Sequence, residues 1–284
     1  MTGGAPPSAT DPRLRELSGA LRNRSRQAAI LCYHSVTADG PPFLSIAPDT
    51  FERQLEMLRE RGYQSGGLRD LAALAEGIAP RAPLAFLTFD DGYLDNFTRA
   101  LPLLREYGFG ALVFILPTCV DDGAAFRWPE VAGQLAAYGD VMRSLDWPMV
   151  EAMAEAGIEF GSHTLTHPHL PELSDEELAH ELGESRARIH DRLGSCDSIA
   201  YPFGDWDARV AAAAAAAGYR FAFTMPRGAQ SAATPLSIPR VAVDQRDAGR
   251  RFLLKLTSPG RRLLLSPAKE HLRRLRRRPP RAAR

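Results

Sequence analysis

Short apolar runs and helix-period segments take turns along this chain from residue 28 to residue 224. Ala28-Ala29-Ile30-Leu31-Cys32-Tyr33 reads as a buried strand ending at His34. Phe51, Leu55 and Leu58, with charges between them, predict an amphipathic helix that closes at Gly62. Leu84-Ala85-Phe86-Leu87-Thr88-Phe89 is the clearest central strand, and it delivers Asp90 and Asp91 at its C-terminal end. The pattern then predicts a helix through Leu101 to Tyr107, a strand from Ala111 to Leu116, a helix from Pro148 to Ala156 and a short strand from Ile158 to Gly161. Ser174-Asp175-Glu176-Glu177 offers a capping box that opens a long helix reaching Leu193. A strand over 198–201, an Ala-rich helix over 208–217 and a strand over 219–224 complete the series. Strand–helix–strand repetition of this kind predicts an α/β domain on a parallel sheet, open or closed into a barrel.

Two stretches break the rhythm. Residues 1–27 mix Gly, Pro, Ser and Arg and are expected to form a flexible arm. Asp121 to Leu145 is less periodic, contains Trp128, and is expected to be an inserted lid or rim. The net charge of the 284 residues is only +1, yet from Lys269 onward eight basic residues face the single acid Glu270. The basic character is therefore local, and the chain divides into the arm, a folded body at 28–248 and a basic extension at 249–284.

Cys32, Cys119 and Cys196 are odd in number and widely spaced, which predicts neither a disulfide framework nor a cysteine zinc site. The N-terminus shows no apolar run of the signal-peptide kind, and nowhere does an apolar run approach the roughly 20 residues that span a bilayer. The expectation is a cytoplasmic protein, with the basic extension offering peripheral contact to an anionic membrane surface. Nucleic acid satisfies the same charges but is not the expected partner.

Chemistry enters at three separated places: Asp90-Asp91, the pair His163 and His167, and Tyr201-Pro202-Phe203-Gly204. Two histidines at i,i+4 in a helix or tight turn converge on one cation, and a carboxylate completes a three-ligand site with positions left for water and substrate. Taken singly, an Asp-Asp-Gly run is more often a solvated turn and a His pair a surface feature. All three places, however, fall just after predicted strands, where the loops of parallel α/β folds carry function.

Thr88-Phe89-Asp90-Asp91-Gly92 resembles the first signature, T-F-D-D-G, of the polysaccharide deacetylase family, the NodB-homology carbohydrate esterases. His163-Thr164-Leu165-Thr166-His167 is similar to the second, H-[ST]-x-x-H, and Tyr201-Pro202-Phe203-Gly204 to the third, in the same order. The resemblance implies a deformed (β/α) barrel, with 28–248 as the catalytic domain, that hydrolyses N-acetyl or O-acetyl groups on an amino-sugar glycan or its precursor. It implies a divalent metal on Asp91, His163 and His167, which would bring bound water, the nucleophile, to a pKa of about 7. Zinc is the default ion, and the ligand set also admits cobalt, nickel or manganese. It implies Asp90 as general base, the Phe203 backbone N–H as an oxyanion donor, and substrate contacts from Tyr201, Pro202 and Tyr93.

The chain departs from the family pattern twice. Ala200-Tyr201 stands where many members have an arginine beside the base, and no L-x-H follows to supply the usual general acid. Arg240, in Ile238-Pro239-Arg240-Val241, is the candidate for the missing cation. His34 is the candidate acid, because Leu31-Cys32-Tyr33-His34-Ser35 resembles the Y-H segment of the poly-N-acetylglucosamine deacetylase branch. Asp95 and Asn96 are expected to brace Asp90-Asp91 or to cap a helix, Trp147 and Trp206 to wall a sugar site or to pack, and His169 to be an exposed loop residue. Alternative readings are a non-catalytic metal-containing carbohydrate-binding or scaffold protein of the same fold, and a metal-dependent amidase acting on a small metabolite.

Overall fold

The computed structural model describes residues 28–123, 125, 126, 128–225 and 234–264; the expected N-terminal arm and the Arg-rich stretch from Lys269 lie outside them. Nine strands among these residues form one all-parallel sheet. In chain order they are β1 (Ala28–Tyr33), β2 (Gln64–Ser65), β3 (Leu84–Phe89), β4 (Leu112–Ile115), β5 (Glu159–Ser162), β6 (Ser198–Ala200), β7 (Phe221–Thr224), β8 (Ile238–Pro239) and β9 (Val241–Ala242). The spatial order runs β8-β7-β6-β5-β4-β3-β1-β9, with β2 on β3. Since β8 and β9 are consecutive apart from Arg240, one short stretch pairs with β7 at its start and β1 at its end, nearly closing the sheet into a deformed (β/α) barrel. At this seam Arg240 N–H donates to the Thr224 carbonyl and Val243 N–H to that of Cys32.

Helices cover the outside: α1 (Pro48–Glu60), α2 (Leu68–Ala75), α3 (Leu101–Tyr107), α4 (Pro117–Val120), α5 (Ala132–Tyr138), α6 (Trp147–Glu155), α7 (Asp175–Leu193), α8 (Ala208–Ala216) and α9 (Arg250–Leu256). None of the described helices is long and apolar enough to cross a membrane. The capping box before α7 forms, with Ser174 Oγ accepting from Glu177 N–H and the Glu177 carboxylate from Ser174 N–H. Gly194 ends that helix in the left-handed region, as a C-terminal glycine does most cheaply.

Strand alternation sorts the side chains into two cores. On β3, Ala85, Leu87 and Phe89 face the helices in the larger core, while Leu84 and Phe86 face the barrel interior with Phe114, Phe221 and Phe223. Helix α2, which the sequence reading passed over, brings Leu71 and Leu74 into this interior cluster beside Ala28 and Leu84 at the strand starts. Its first turn is fixed by Leu68 N–H donating to the Glu159 carboxylate at the start of β5. The N-terminal mouth of the barrel is thereby plugged, and polar chemistry is left to the C-terminal mouth.

The expected boundary at residue 249 falls inside the packed body. Phe252 and Leu256 of α9 are buried in the larger core, so the basic extension does not begin there. Lys255 of the same helix bonds the Asp247 carboxylate and the Ala242 carbonyl, and Gln54 joins the Asp247 carbonyl to the Tyr33 hydroxyl. These buried bonds strap the seam strand, and with it Arg240, to β1 and α1.

Candidate active site

Four non-glycine residues among those described have φ in the left-handed region: Asp91 at 71°, Thr164 at 71°, His167 at 68° and Phe203 at 57°. All four lie in loops leaving β3, β5 and β6. Such backbone costs on the order of 1–3 kcal/mol per residue and persists where surrounding structure over-determines it. Two glycines complete these turns. A Cβ on Gly92 (φ 71°) would meet Ile115 Cγ2 at 2.8 Å, and one on Gly204 (φ 69°) would meet the Met225 backbone nitrogen at 2.5 Å.

The turns bring Asp91, His163 and His167 together, all buried, with one potential ligand atom from each within 4.8 Å of the others. Asp91 Oδ1 lies 3.4 Å from His163 Nε2 and 3.6 Å from His167 Nε2, and has no hydrogen-bond partner among the described residues. His163 Nδ1 is 2.8 Å from the Ala200 carbonyl, which fixes Nδ1 as the protonated nitrogen and leaves the Nε2 lone pair facing Asp91. An unpartnered buried carboxylate oxygen, two imidazoles and mixed N/O donors fit a divalent cation of the zinc type. Electrostatics point the same way. Burial raises the Asp91 carboxyl, but His163 and the other nearby imidazoles outweigh it and hold it below its usual value. Burial and the His163 charge push His167 down to about 3, so it is a neutral donor in the physiological range. Burial also lowers His163, yet the Asp90 and Asp91 charges raise it overall.

Asp90 sits one residue away in a different setting. Arg240, fully buried, grips both its oxygens, Nη1 to Oδ1 at 2.6 Å and Nη2 to Oδ2 at 2.7 Å. The guanidinium also donates to Thr88 Oγ1 and lies over the rings of Phe114 and Phe223. Burial raises the Asp90 carboxyl, but Arg240 and then His163 overcome this and hold it well below the usual carboxylate range. The structure thus puts the arginine named from Ile238-Pro239-Arg240-Val241 directly on Asp90.

Half-buried His34 follows β1, its ligand atom within 4.8 Å of those of Asp90 and Cys32. Cys32 Sγ, 3.4 Å from Asp90 Oδ2, went unremarked as a site residue in the sequence because an isolated thiol carries no motif. Asp95 and Asn96 brace the His34 turn and not Asp90-Asp91: Asp95 accepts from Ser35 Oγ and Val36 N–H, and Asn96 Nδ2 donates to the His34 carbonyl. Burial pushes Asp95 up to about 6.

Not every residue expected to touch substrate can do so. Tyr93 is fully buried, its ring edge-on to Phe126, and Tyr201 is 1% exposed with its hydroxyl donating to the Leu236 carbonyl. Ala200 points into the barrel, so strand alternation turns Tyr201 towards the helices. Pro202 is buried as well, and of this set Phe203 alone reaches the cleft side. Trp147 opens α6, its ring N–H donating to Asp121, and Trp206 packs against Tyr201, so both are packing residues.

A cleft of about 500 Å³ opens beside His167, lined by residues that include Thr118, Cys119, Trp128, Glu130 and His169. His169 is held there and is not a free loop residue: Nδ1 is 2.9 Å from Asp205 Oδ2 and the ring stacks on Phe203 at 4.0 Å. The segment expected as a lid or rim contributes Trp128, which belongs to a small core with Tyr93, Leu116, Phe126, Val131 and Met142. Beneath the His163–His167 loop, the buried Glu181 carboxylate of α7 accepts from Leu165 N–H, Thr166 N–H and Thr166 Oγ1. Nothing near Glu181 in sequence signals this role, which depends on how α7 packs on β5.

A parallel barrel thus carries a carboxylate–imidazole triad and an arginine-locked carboxylate at its C-terminal mouth. The family model for polysaccharide deacetylase matches residues 78–222, and the chain belongs to that family. The protein YxkH of Bacillus subtilis (strain 168) is 27% identical over 205 residues, 71% of this chain and 66% of that protein. The poly-beta-1,6-N-acetyl-D-glucosamine N-deacetylase of Escherichia coli (strain K12) is 25% identical over 246 residues, 74% of this chain and 35% of that protein. The chain thus spans between a third and two thirds of these curated relatives. Streptococcus pyogenes deacetylase PplD, solved in complex with acetate, has the same fold, with a TM-score of 0.69 at 24% identity over 81% of this chain and 97% of that one.

Proposed function

We propose that this chain is a metal-dependent carbohydrate deacetylase that releases acetate from N-acetylated amino sugars of a glycan. The observation that carries the proposal is the juxtaposition of the open Asp91–His163–His167 triad with Asp90 locked by Arg240. The E. coli relative's name supports an N-acetylglucosamine polymer as substrate class. Asp91 Oδ1, His163 Nε2 and His167 Nε2 would hold the cation, which when bound supplies Lewis-acid polarisation of the acetyl carbonyl and of water.

The remaining steps belong to the chain's own groups. Arg240 favours the ionised form of Asp90, and although it uses one lone pair on each oxygen, a carboxylate retains others to accept the proton of the attacking water. The water oxygen bonds to the acetyl carbon, and the negative charge that develops on the carbonyl oxygen is met by the Phe203 backbone N–H. The C–N bond then breaks, and His34, anchored by Asp95 and Asn96, gives a proton to the departing amine.

Acetate release from N-acetylglucosamine oligomers, measured on zinc-loaded protein, tests this reading. Asp90→Asn should lower turnover roughly 10²–10⁴-fold with metal content unchanged, the range expected for loss of a general base. His34→Ala should lower turnover on the amide more than on an activated acetate ester, whose leaving group needs no proton. Firm zinc binding with no acetate release from any acetylated sugar would move the assignment to a carbohydrate-binding protein.

A further inference from the structure

The two histidines of the triad are held in different ways. His163 is oriented by a hydrogen bond from Nδ1 to the Ala200 carbonyl, the usual arrangement for a metal-binding imidazole. His167 has no such bond: its Nδ1 is buried without a partner among the described residues. Its ring is sandwiched instead. Trp128 stacks face to face on it at 4.2 Å and 18°, and Phe203 meets it edge-on at 4.5 Å and 78°. Trp128 is buried in turn by Phe126, at 5.0 Å, within the small core built around the 121–145 segment. An antiparallel bridge from Tyr93 to Ser144 and the Leu145 N–H donating to the Gly92 carbonyl pin that segment beside Asp91-Gly92, and a second bridge, Ala125 to Arg143, closes the segment on itself.

We infer that Trp128 is the positioning residue of His167, so that the 121–145 segment serves to hold an aromatic wall against the metal-binding imidazole and not as a lid. A ring without a hydrogen bond on its far nitrogen can rotate about its side-chain torsions unless packing stops it, and here Trp128 and Phe203 are the packing. The strained His167 backbone sharpens the requirement. With φ at 68°, the main chain presents the imidazole from a conformation that the loop holds through Thr164 Oγ1 accepting His167 N–H. The inference rests on the reading of Asp91, His163 and His167 as a metal site, and it concerns how this chain's own residues shape that site.

The test is zinc affinity by chelator competition on the full chain, alongside the quenching of tryptophan fluorescence by cobalt. Trp128→Leu keeps an apolar side chain in the small core but removes the flat ring, and should weaken zinc binding about 10-fold or more, the lower end for loss of a residue that orients a metal ligand. Trp128→Phe restores a flat ring and should recover most of the affinity. It should also abolish most of the cobalt-induced quenching, which at stacking distance belongs to Trp128 more than to Trp147 or Trp206. Wild-type affinity in Trp128→Leu, or Trp128→Phe as weak as Trp128→Leu, overturns the positioning role and leaves the metal site standing. Failure of the wild-type protein to bind one equivalent of zinc overturns both.

Discussion

Asp90 and Asp91 are adjacent, equally buried and leave the same strand, yet they occupy opposite electrostatic situations. Asp90 is partnered from within: Arg240 bonds both oxygens, and Cys32 adds a thiol contact. Asp91 faces two imidazole nitrogens and keeps an unpartnered oxygen. A left-handed φ at Asp91 creates the difference, because it breaks the extended path and swings the second carboxylate towards the loops after β5 while the first stays under the seam. One side of the site is thus complete in the polypeptide, and the other is complete only with a cation. The comparison teaches that a doubled residue type need not mean doubled function, since partners decide roles.

The strongest way to break the comparison is to remove the partner that Asp90 alone enjoys. Arg240→Leu leaves a buried carboxylate without its countercharge, a change worth roughly 3–5 kcal/mol. Because Asp90's folded pKa lies below its unfolded value of about 3.9, the pair stabilises the protein above that value, and this is lost as pH falls through the folded pKa. In Arg240→Leu burial is no longer outweighed, so the acid limb of turnover should move to higher pH. Denaturant melts across pH, with a pH–rate profile, measure both; an unmoved limb would show that Arg240 does not set Asp90's charge.

The complementary experiment supplies what Asp91 lacks. Zinc at 100 times its Kd should stabilise the wild-type protein by about 2.7 kcal/mol, a melting shift of roughly 5–10 °C for a domain of this size. Asp91→Asn keeps a residue that tolerates the left-handed backbone but removes the charge, and its shift should shrink to a small fraction. A full shift in that variant would place the cation elsewhere, next to Asp90 and His34 being the first alternative.

Much of this asymmetry was legible in the sequence and part was not, for physical reasons. Strand periodicity located the ends of β3, β5 and β6, because a buried parallel strand is a nearly continuous apolar run. It therefore located Asp90, Asp91, His163 and Phe203 as loop residues. Arg240 was a candidate because a buried carboxylate base calls for a cation and the expected position holds Ala200-Tyr201, although β8 and β9 themselves were not foreseen, Pro239 being a poor strand former. The burial of Tyr93 and Tyr201 was not legible, because which way a side chain turns beyond a strand end depends on the loop's backbone and on the packing around it. Trp128 and Glu181 were silent, since their roles arise from packing between elements far apart in the chain.

Glu181 supplies the finest discrimination between the two sides. Three of the hydrogen bonds that hold the loop carrying His167 go to this one carboxylate. Glu181→Leu fills similar space but removes the acceptor, leaving the Leu165 and Thr166 N–H groups unsatisfied at a cost of about 1–3 kcal/mol each. Since that loop belongs to the cation side, zinc affinity should fall several-fold, while the acid limb set by Asp90 and Arg240 should stay in place. Chelator competition and the pH–rate profile on the same variant measure the two. If the acid limb moved together with the affinity, the two carboxylates would be one coupled unit and the division between them would fail; if only affinity moved, the barrel seam and the metal loop would be separate devices meeting at Asp90-Asp91.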